Sequence, residues 1–262
     1  MDVTVNGARI HYTLDGPESA PVVTMSNSLA ANLSMWAPQL PALADDYRVL
    51  RYDTRGHGSS EPVPGPYSLE MLAEDVVALW DTLGIERAHF VGLSLGGMIG
   101  QVLGRTAGDR LVSLVLCDTM GAMPPAMKSV WADRIATAEK DGMGALVDST
   151  IQRWFTPRCI AERPDLVDPV RQMIRGTSVQ GYTGCCAAIS QLDELDKVSA
   201  IRTPTLIVCG EDDPATPVAA SEALQEKIGG AELTVIKSAA HFANWEQPEA
   251  FNDALIGFLQ RF

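Results

Sequence analysis

The segment Gly92-Leu93-Ser94-Leu95-Gly96 places a serine between two glycines, where a short apolar run ends and a helical pattern begins. A sharp strand-to-helix turn of this kind lifts the serine hydroxyl clear of the backbone, and a side chain at either flanking glycine collides with the turn. The helix that starts behind Ser94 also favours negative charge that develops during nucleophilic attack. The motif therefore predicts acyl transfer through Ser94.

A serine nucleophile needs a base, and the chain has four histidines. His241 follows a predicted strand and precedes the last predicted helix, which places it at the carboxyl edge of a sheet. It also comes last in the chain. When the serine lies at a strand-to-helix turn of this kind, the acid and then the histidine follow it in the sequence. His11, His57 and His89 lie in an opening hairpin, a turn and a strand, where packed or surface roles are favoured. We predict that His241 is the general base.

The acid that orients the base is expected in the loop Gly210–Pro214, which follows the apolar run Thr205–Cys209. A carboxylate in this role holds the imidazole and stabilises its protonated form without taking the proton. Asp213 is the predicted acid, Asp212 is the near alternative, and Asp118 is the third candidate. The competing interpretation is that both loop aspartates are solvated turn residues.

The oxyanion that forms on a substrate needs two backbone N–H donors. One is expected from Leu95, the residue after the nucleophile, and the other from Leu29 in the loop after the apolar run Pro21–Met25. Backbone donors leave no side-chain signature, so both assignments rest on position in the chain.

The elements that must position these residues are apolar runs separated by helical patterns. Near-continuous apolar runs are typical of parallel strands covered on both faces, and their alternation with helices indicates an α/β fold with a doubly wound, mostly parallel sheet. The predicted strands are a hairpin at Val3–Tyr12 broken by Asn6-Gly7, then Pro21–Met25, Tyr47–Tyr52, His89–Gly92, Leu111–Cys117, Thr205–Cys209 and Leu233–Ile236. The predicted helices are Leu69–Leu83 after the N-cap Ser68, the stretch from Ser94 to Gly108, and Pro248–Phe262.

One region breaks this alternation. Residues 121–198 contain no convincing strand, and Pro, Gly and Trp are interspersed among several helical patterns. The region falls between the strand ending near Cys117 and the strand beginning near Thr205. We predict a core formed by residues 1–120 and 199–262, with residues 121–198, called the cap below, inserted over the carboxyl edge of the sheet.

Composition and charge exclude several classes of partner. A formal net charge of −13 disfavours nucleic acid and anionic membranes, which need clustered Lys and Arg. The first residues lack the basic and apolar regions of a signal peptide, and no apolar run approaches the ~18 residues of a membrane span. The five cysteines lack metal-like spacing and are expected to be reduced. We expect a cytoplasmic protein without a metal or cofactor, and nothing in the sequence indicates its oligomeric state.

The motifs described above and the order of the predicted elements resemble the α/β-hydrolase superfamily over the whole chain. The segment RYDTRGHGSS at 51–60 is similar to the turn motif after the fourth strand of that superfamily, whereas Asn27-Ser28 stands where most members carry His-Gly. Several segments are similar to the 3-oxoadipate enol-lactonases: Ser26–Leu29, Leu33–Trp36, Arg51–Asp53, Trp131–Arg134, Arg153–Phe155, Gly181-Tyr182 and Cys185–Ile189.

The resemblance implies hydrolysis of 3-oxoadipate enol-lactone to 3-oxoadipate, a step of the β-ketoadipate pathway of aromatic degradation, without metal or cofactor. This substrate carries a free carboxylate, so a local cation is expected on a protein of net charge −13. The cap offers Arg134 and Arg153 for that purpose, with Trp131 and Trp154 as apolar walls. The competing interpretation is that the arginines cap helices or pair with acids and that the tryptophans are packed core.

Other functions are compatible with parts of this pattern. A broad carboxylesterase or another lactonase shares the same triad, because the pocket sets the substrate. A non-catalytic binding protein on a hydrolase fold is disfavoured by the complete set Ser94, Asp213 and His241. A haloalkane dehalogenase is also disfavoured, because that chemistry needs a carboxylate at the position of Ser94.

Overall fold

The computed structural model describes residues 1–262, and eight strands form one sheet. The strands are β1 (Asp2–Val5), β2 (Ala8–Asp15), β3 (Val22–Ser26), β4 (Arg48–Tyr52), β5 (Ala88–Leu93), β6 (Leu111–Cys117), β7 (Thr205–Gly210) and β8 (Glu232–Ile236). Their order is β1-β2-β4-β3-β5-β6-β7-β8, antiparallel from β1 to β4 through β2 and parallel from β4 to β8. This mostly parallel sheet with intervening helices confirms the predicted fold class.

Eleven α-helices connect and cover the strands. They are α1 (Leu40–Leu43), α2 (Leu69–Leu83), α3 (Leu95–Thr106), α4 (Lys128–Asp141), α5 (Val147–Trp154), α6 (Pro157–Glu162), α7 (Pro164–Gly176), α8 (Val179–Ser190), α9 (Val218–Lys227), α10 (Ala243–Glu246) and α11 (Pro248–Leu259). Short 3-10 helices lie at Leu33–Trp36, Gly108–Arg110, Pro125–Met127, Met143–Leu146 and Lys197–Ala200.

Helix α2 has the bounds predicted from the sequence, and local chemistry explains both ends. Ser68 Oγ accepts a 3.1 Å hydrogen bond from the Met71 amide, which satisfies one free donor of the first turn. Gly84 ends the helix at a φ of +68°, a left-handed conformation that favours glycine. Helix α11 ends at Leu259, before the predicted end at Phe262, because the Arg261 and Phe262 amides donate to carbonyls only three residues back, as in a turn.

Burial explains the continuous apolar runs in the middle of the sheet. All six residues of β5 and all six of β7 are buried, as parallel strands covered on both faces must be. In the register of the sheet, Ser26 of β3 pairs with Gly92 of β5, and Cys117 of β6 pairs with Val208 of β7. The loops that follow these strands therefore meet at one edge of the sheet.

The cap, residues 121–198, contains helices α4 to α8 and leaves the sheet between the neighbouring strands β6 and β7. Its two ends are joined at a neck formed by residues 121–123 and 192–194. There the Glu194 amide donates to the Gly121 carbonyl at 2.7 Å, and the Met123 amide donates to the Leu192 carbonyl at 2.9 Å. The division of the chain into a core of residues 1–120 and 199–262 and a separate cap stays a prediction.

The apolar interior is continuous from the sheet into the cap. One cluster of buried apolar side chains includes Leu93 of β5, Ile207 of β7 and Ile151 of α5. All five cysteines are unpaired and buried. None of the helices has both the length and the apolar character needed to cross a membrane.

Candidate active site

Ser94 lies at the turn between β5 and α3 in a strained backbone conformation. Its φ is +56° and its ψ is −109°, an unusual combination for a residue with a side chain. A Cβ at Gly92 would lie 2.2 Å from the Gly96 carbonyl oxygen, and a Cβ at Gly96 would lie 2.3 Å from the Ser26 carbonyl oxygen. Both flanking positions therefore require glycine because the backbone itself occupies the space.

Two hydrogen bonds, one to the neighbouring strand β6 and one from the segment after it, fix this turn. The Ser94 amide donates to the Cys117 carbonyl at 2.9 Å, and the Thr119 hydroxyl donates to the Ser94 carbonyl at 2.9 Å. The strained residue is thus held by the last residue of β6 and by the segment that follows it. Ser94 itself is 9% exposed, and this exposure is on the side that faces a cavity.

His241 and Asp213 are in direct contact. Nδ1 of His241 lies 2.7 Å from Oδ2 of Asp213. An ionised carboxylate can only accept, so Nδ1–H is the donor and Nε2 remains free to accept a proton. Asp213 is itself held by the Ala215 and Thr216 amides at 2.7 and 3.1 Å and by the Thr216 hydroxyl at 2.6 Å. The tight turn after Asp213 therefore fixes the direction of its carboxylate.

The three candidate acids differ in environment. Asp212 is exposed, whereas Asp213 and Asp118 are buried. Burial raises the pKa of Asp213, but the charge and hydrogen bond of His241 outweigh it, with the Thr216 hydrogen bonds, so that the pKa is lowered overall. Burial, and then the charge of Asp213, raise the pKa of Asp118 well above its usual range. The residue that contacts His241 is thus the one that favours its anionic form.

The loop after β3 contains the predicted donor Leu29. The Leu29 amide makes no hydrogen bond, and the loop beside it is fixed by Asn27, whose Nδ2 donates to the Ser28 and Ala31 carbonyls at 2.8 and 3.2 Å. Oδ1 of Asn27 accepts from the amide and hydroxyl of Thr54 at 2.9 and 2.7 Å. The departure from His-Gly noted in the sequence therefore has a structural role, because the asparagine side chain joins the loop to itself and to Thr54.

The second predicted donor, Leu95, is the first residue of α3 and is fully buried. The first amides of a helix have no partner within that helix, so the Leu95 N–H is free to bind an anion next to Ser94.

A cavity of about 310 Å³ lies over this edge of the sheet, between the core and the cap. Seven of the nine predicted site residues line it: Ser94, His241, Leu29, Trp131, Arg134, Arg153 and Trp154. Asp213 and Leu95 do not line the cavity. Asp213 contacts the lining residue His241, and Leu95 follows the lining residue Ser94 in the chain. No hydrogen bond joins Ser94 and His241 in this structure, and both side chains face the same cavity.

The two cap arginines in the cavity have no acidic partner. The Arg134 guanidinium lies 4.5 Å from the centre of the Trp131 ring, and Arg153 donates to the Thr150 hydroxyl at 3.2 Å. Burial, and then the charge of Arg134, lower the pKa of Arg153 to about 10, so it still carries its proton at neutral pH. Two cations without a carboxylate make this wall of the cavity a place where an anion is stabilised.

Sequence reasoning missed part of the lining. Tyr182 faces the same cavity, and four methionines form much of its apolar wall: Met98, Met120, Met123 and Met127. Trp131 Nε1 lies 3.2 Å from the sulfur of Met123, so the indole connects the methionine wall to Arg134. Only the Gly181-Tyr182 similarity hinted at Tyr182, and scattered methionines carry no recognisable pattern.

The other three histidines lie outside this cavity. His57 is fully buried, and burial lowers its pKa to about 4. His89 bonds the Ser113 hydroxyl at 2.8 Å, and burial also lowers its pKa to about 4. His11 pairs with Asp2 at 2.9 Å on the surface. No group of three or more His, Cys, Asp or Glu side chains is arranged to hold a metal ion.

Known proteins resemble this chain over most of its length. The family model described as the alpha/beta hydrolase fold matches residues 21–248 of the chain. The chain belongs to the α/β-hydrolase family.

Within that family the chain is similar to enol-lactonases. It is 35% identical to 3-oxoadipate enol-lactonase 2 of Acinetobacter baylyi, over 99% of this chain and 96% of that protein. The crystal structure of the enol-lactonase from Burkholderia xenovorans has a TM-score of 0.96 and 40% identity, covering 99% of this chain and 100% of that one. A putative carbamate hydrolase RutD of Stutzerimonas stutzeri is 30% identical over 95% and 96% of the two chains. The resemblance to the 3-oxoadipate enol-lactonase family is thereby confirmed, and the chain is a hydrolase of the lactonase and esterase type.

Proposed function

We propose that this protein hydrolyses 3-oxoadipate enol-lactone to 3-oxoadipate, with Ser94 as nucleophile, His241 as general base and Asp213 as supporting acid. The observation that carries the proposal is the pair Arg134 and Arg153, two cations that face the cavity without an acidic partner. Similarity to enol-lactonases over nearly the whole chain supports the same substrate.

The first half of the reaction forms an ester on Ser94. His241 takes the hydroxyl proton at Nε2 while Oγ bonds to the lactone carbonyl carbon, and Asp213 stabilises the imidazolium that results. The amides of Leu29 and Leu95 stabilise the carbonyl oxygen as it becomes negative. The ring C–O bond then breaks, the enol oxygen receives the proton from His241, and the enol tautomerises to a ketone.

The second half releases the acid. A water molecule gives a proton to His241 Nε2 and attacks the ester carbonyl, so that the bond to Ser94 breaks and the proton returns to Oγ. No external oxidant, reductant or cofactor is needed for the atoms and charges to balance. The substrate's free carboxylate takes no part in these bonds and is bound by the cap arginines.

The test is to compare hydrolysis of the enol-lactone with hydrolysis of p-nitrophenyl acetate, which has no anion to bind. Arg134→Met and Arg153→Met each remove the charge and keep the apolar stem. A charge-assisted hydrogen bond contributes about 1.5–3 kcal/mol, which is roughly ten- to a hundred-fold in kcat/KM. We expect at least one variant to lose this factor on the lactone and to keep its activity on the neutral ester.

The matched control is Arg158→Met, which removes a cap arginine that pairs with Glu162 on the surface. It is expected to change neither activity. Equal losses on both substrates for Arg134→Met and Arg153→Met assign those arginines a structural role. A wild-type enzyme that prefers neutral esters over the enol-lactone contradicts the proposal and favours the broad carboxylesterase.

A further inference from the structure

Glu246 is a buried carboxylate that has no cationic partner. It ends α10 and is only 9% exposed. Its Oε2 accepts a 3.0 Å hydrogen bond from the Ala240 amide. Both oxygens lie 3.2 Å from the Thr156 amide, and the Thr156 hydroxyl donates to Oε1. A desolvated carboxylate depends on such donors, so loss of any one of them leaves a buried charge less well satisfied.

The donors to Glu246 come from two separate segments. Thr156 is the N-cap of α6 in the cap, whereas Ala240 directly precedes His241 in the core. Two further contacts join the same segments: the Phe242 amide donates to the Trp154 carbonyl at 2.9 Å, and the two rings stack with centroids 4.4 Å apart and planes 8° apart. The residues on both sides of His241 are therefore attached to the cap.

The cap segment attached in this way also carries residues of the cavity wall. Arg153 and Trp154 line the cavity, and Thr156 follows them after one residue. The Trp154 ring centre lies 6.4 Å from that of His241. A shift of this segment would therefore change the cavity wall and the position of the imidazole together.

We propose that Glu246 is a positioning residue for His241, and that it aligns the imidazole by joining the histidine loop to the cap through Thr156. The proposal rests on the role of His241 as base proposed above, and it does not depend on which ester or lactone is hydrolysed. Misalignment of a base slows the chemical step, whereas a junction that only stabilises the fold leaves turnover by the folded enzyme unchanged.

Thr156→Val tests the junction with little change in side-chain shape, because it removes the hydroxyl and keeps the amide. We expect kcat for p-nitrophenyl acetate to fall about ten-fold, with KM changed less than about two-fold. The rate constant for phosphonylation of Ser94 by a neutral phosphonate ester is expected to fall by the same factor, since it needs the same base. Thr156→Ser keeps the hydroxyl, and both of its rates are expected to stay close to those of the wild type.

Thr156 also caps α6, since its Oγ1 accepts from the Cys159 amide at 3.2 Å. The matched control is therefore Ser68→Ala, which removes the N-cap of α2 at a position without contact to the cavity. We expect it to lower Tm without changing kcat. Glu246→Gln is the second variant, since it places an NH2 group among three donors, and it is expected to lower kcat at least as much as Thr156→Val.

An unchanged kcat in Thr156→Val, with Tm lowered as in Ser68→Ala, overturns the proposal. A change confined to KM also overturns it, because the junction then shapes the cavity and leaves the base aligned. The proposal is also overturned if Thr156→Ser, which keeps the hydroxyl, is as slow as Thr156→Val. If His241→Ala hydrolyses the neutral ester normally, the proposed base is wrong and this role of Glu246 falls with it. If the enzyme hydrolyses neutral esters but not the enol-lactone, the proposed substrate is wrong. The kinetics on p-nitrophenyl acetate still test the positioning role of Glu246.

Discussion

Oδ1 of Asp118 accepts a 2.8 Å hydrogen bond from the Gly210 amide, which joins the carboxyl ends of the adjacent strands β6 and β7. The other oxygen, Oδ2, is buried and has no partner. Burial and the charge of Asp213 raise the pKa of Asp118, while contacts with His241 lower that of Asp213. The pKa values of these two neighbouring carboxyl groups are thus shifted in opposite directions. The group that favours its ionised form is the one that contacts the imidazole.

Asp118→Asn should change how stability depends on pH. Between the unfolded pKa of about 4 and the raised folded pKa, Asp118 holds a proton in the folded protein that it lacks in the unfolded chain. The contribution of Asp118 to the free energy of unfolding therefore falls as pH rises through that window, by up to about 1.4 kcal/mol per pH unit. His57 and His89 titrate in the same range with the opposite sign in both proteins. The difference between the unfolding free energies of the wild type and the variant, measured by urea unfolding at several pH values, is therefore expected to fall with this slope. Parallel curves contradict the assignment.

Asp213→Asn should lower kcat by about 10²–10⁴-fold, because an amide no longer selects the imidazole tautomer with the proton on Nδ1. The matched control is Asp212→Asn, since Asp212 is exposed and adjacent in sequence. We expect its kcat to stay within about two-fold of the wild type. Steady-state kinetics on a neutral ester measure both, and the opposite ranking moves the acid to Asp212.

Ser94→Ala and His241→Ala should each lower kcat by several orders of magnitude, on the order of 10⁴-fold or more. The double variant is expected to be little slower than either single variant, because the base has no function without the nucleophile. Turnover of p-nitrophenyl acetate measures all three proteins. Losses that multiply in the double variant indicate that the two residues act independently.

Gly96→Ala should destabilise the fold by about 1–3 kcal/mol, because its Cβ would lie 2.3 Å from the Ser26 carbonyl oxygen. Gly257→Ala is the matched control, since Gly257 lies in α11, is exposed, and has open space around its Cβ position. This second change is expected to stabilise by roughly 0.5–1 kcal/mol. Urea unfolding midpoints check both, and a neutral Gly96→Ala means the turn has room that the structure does not show.

Much of the fold could be predicted from the sequence because its signals are local. The apolar run Leu111–Cys117 is a strand with those bounds, and Leu69–Leu83 is a helix with those bounds. Buried parallel strands need continuous apolar residues, and the N-cap Ser68 and terminal Gly84 mark the ends of α2. Strands such as β3 and β5 differ from the prediction by one residue at each end. Hydrogen bonds to the neighbouring strands determine where such a strand begins and ends, and these bonds cannot be recognised from the local sequence.

The candidate site was less predictable where it depends on packing between distant segments. The sequence alone left Asp212 open beside Asp213, since only the turn that ends at Thr216 directs one carboxylate toward His241. Tyr182 and Glu246 were missed, because their contacts depend on how the cap lies against the core. Contacts of this kind leave no spacing that can be recognised along the chain.

The neck formed by residues 121–123 and 192–194 lets the chain leave the sheet and return at a single place. When the ends of an insertion are already held together, the entropic cost of a longer loop between them grows only slowly. The intervening helices can therefore be lengthened, shortened or exchanged in evolution while the strand order and the turn at Ser94 stay intact. Descendants of one catalytic scaffold can in this way inherit different substrate pockets.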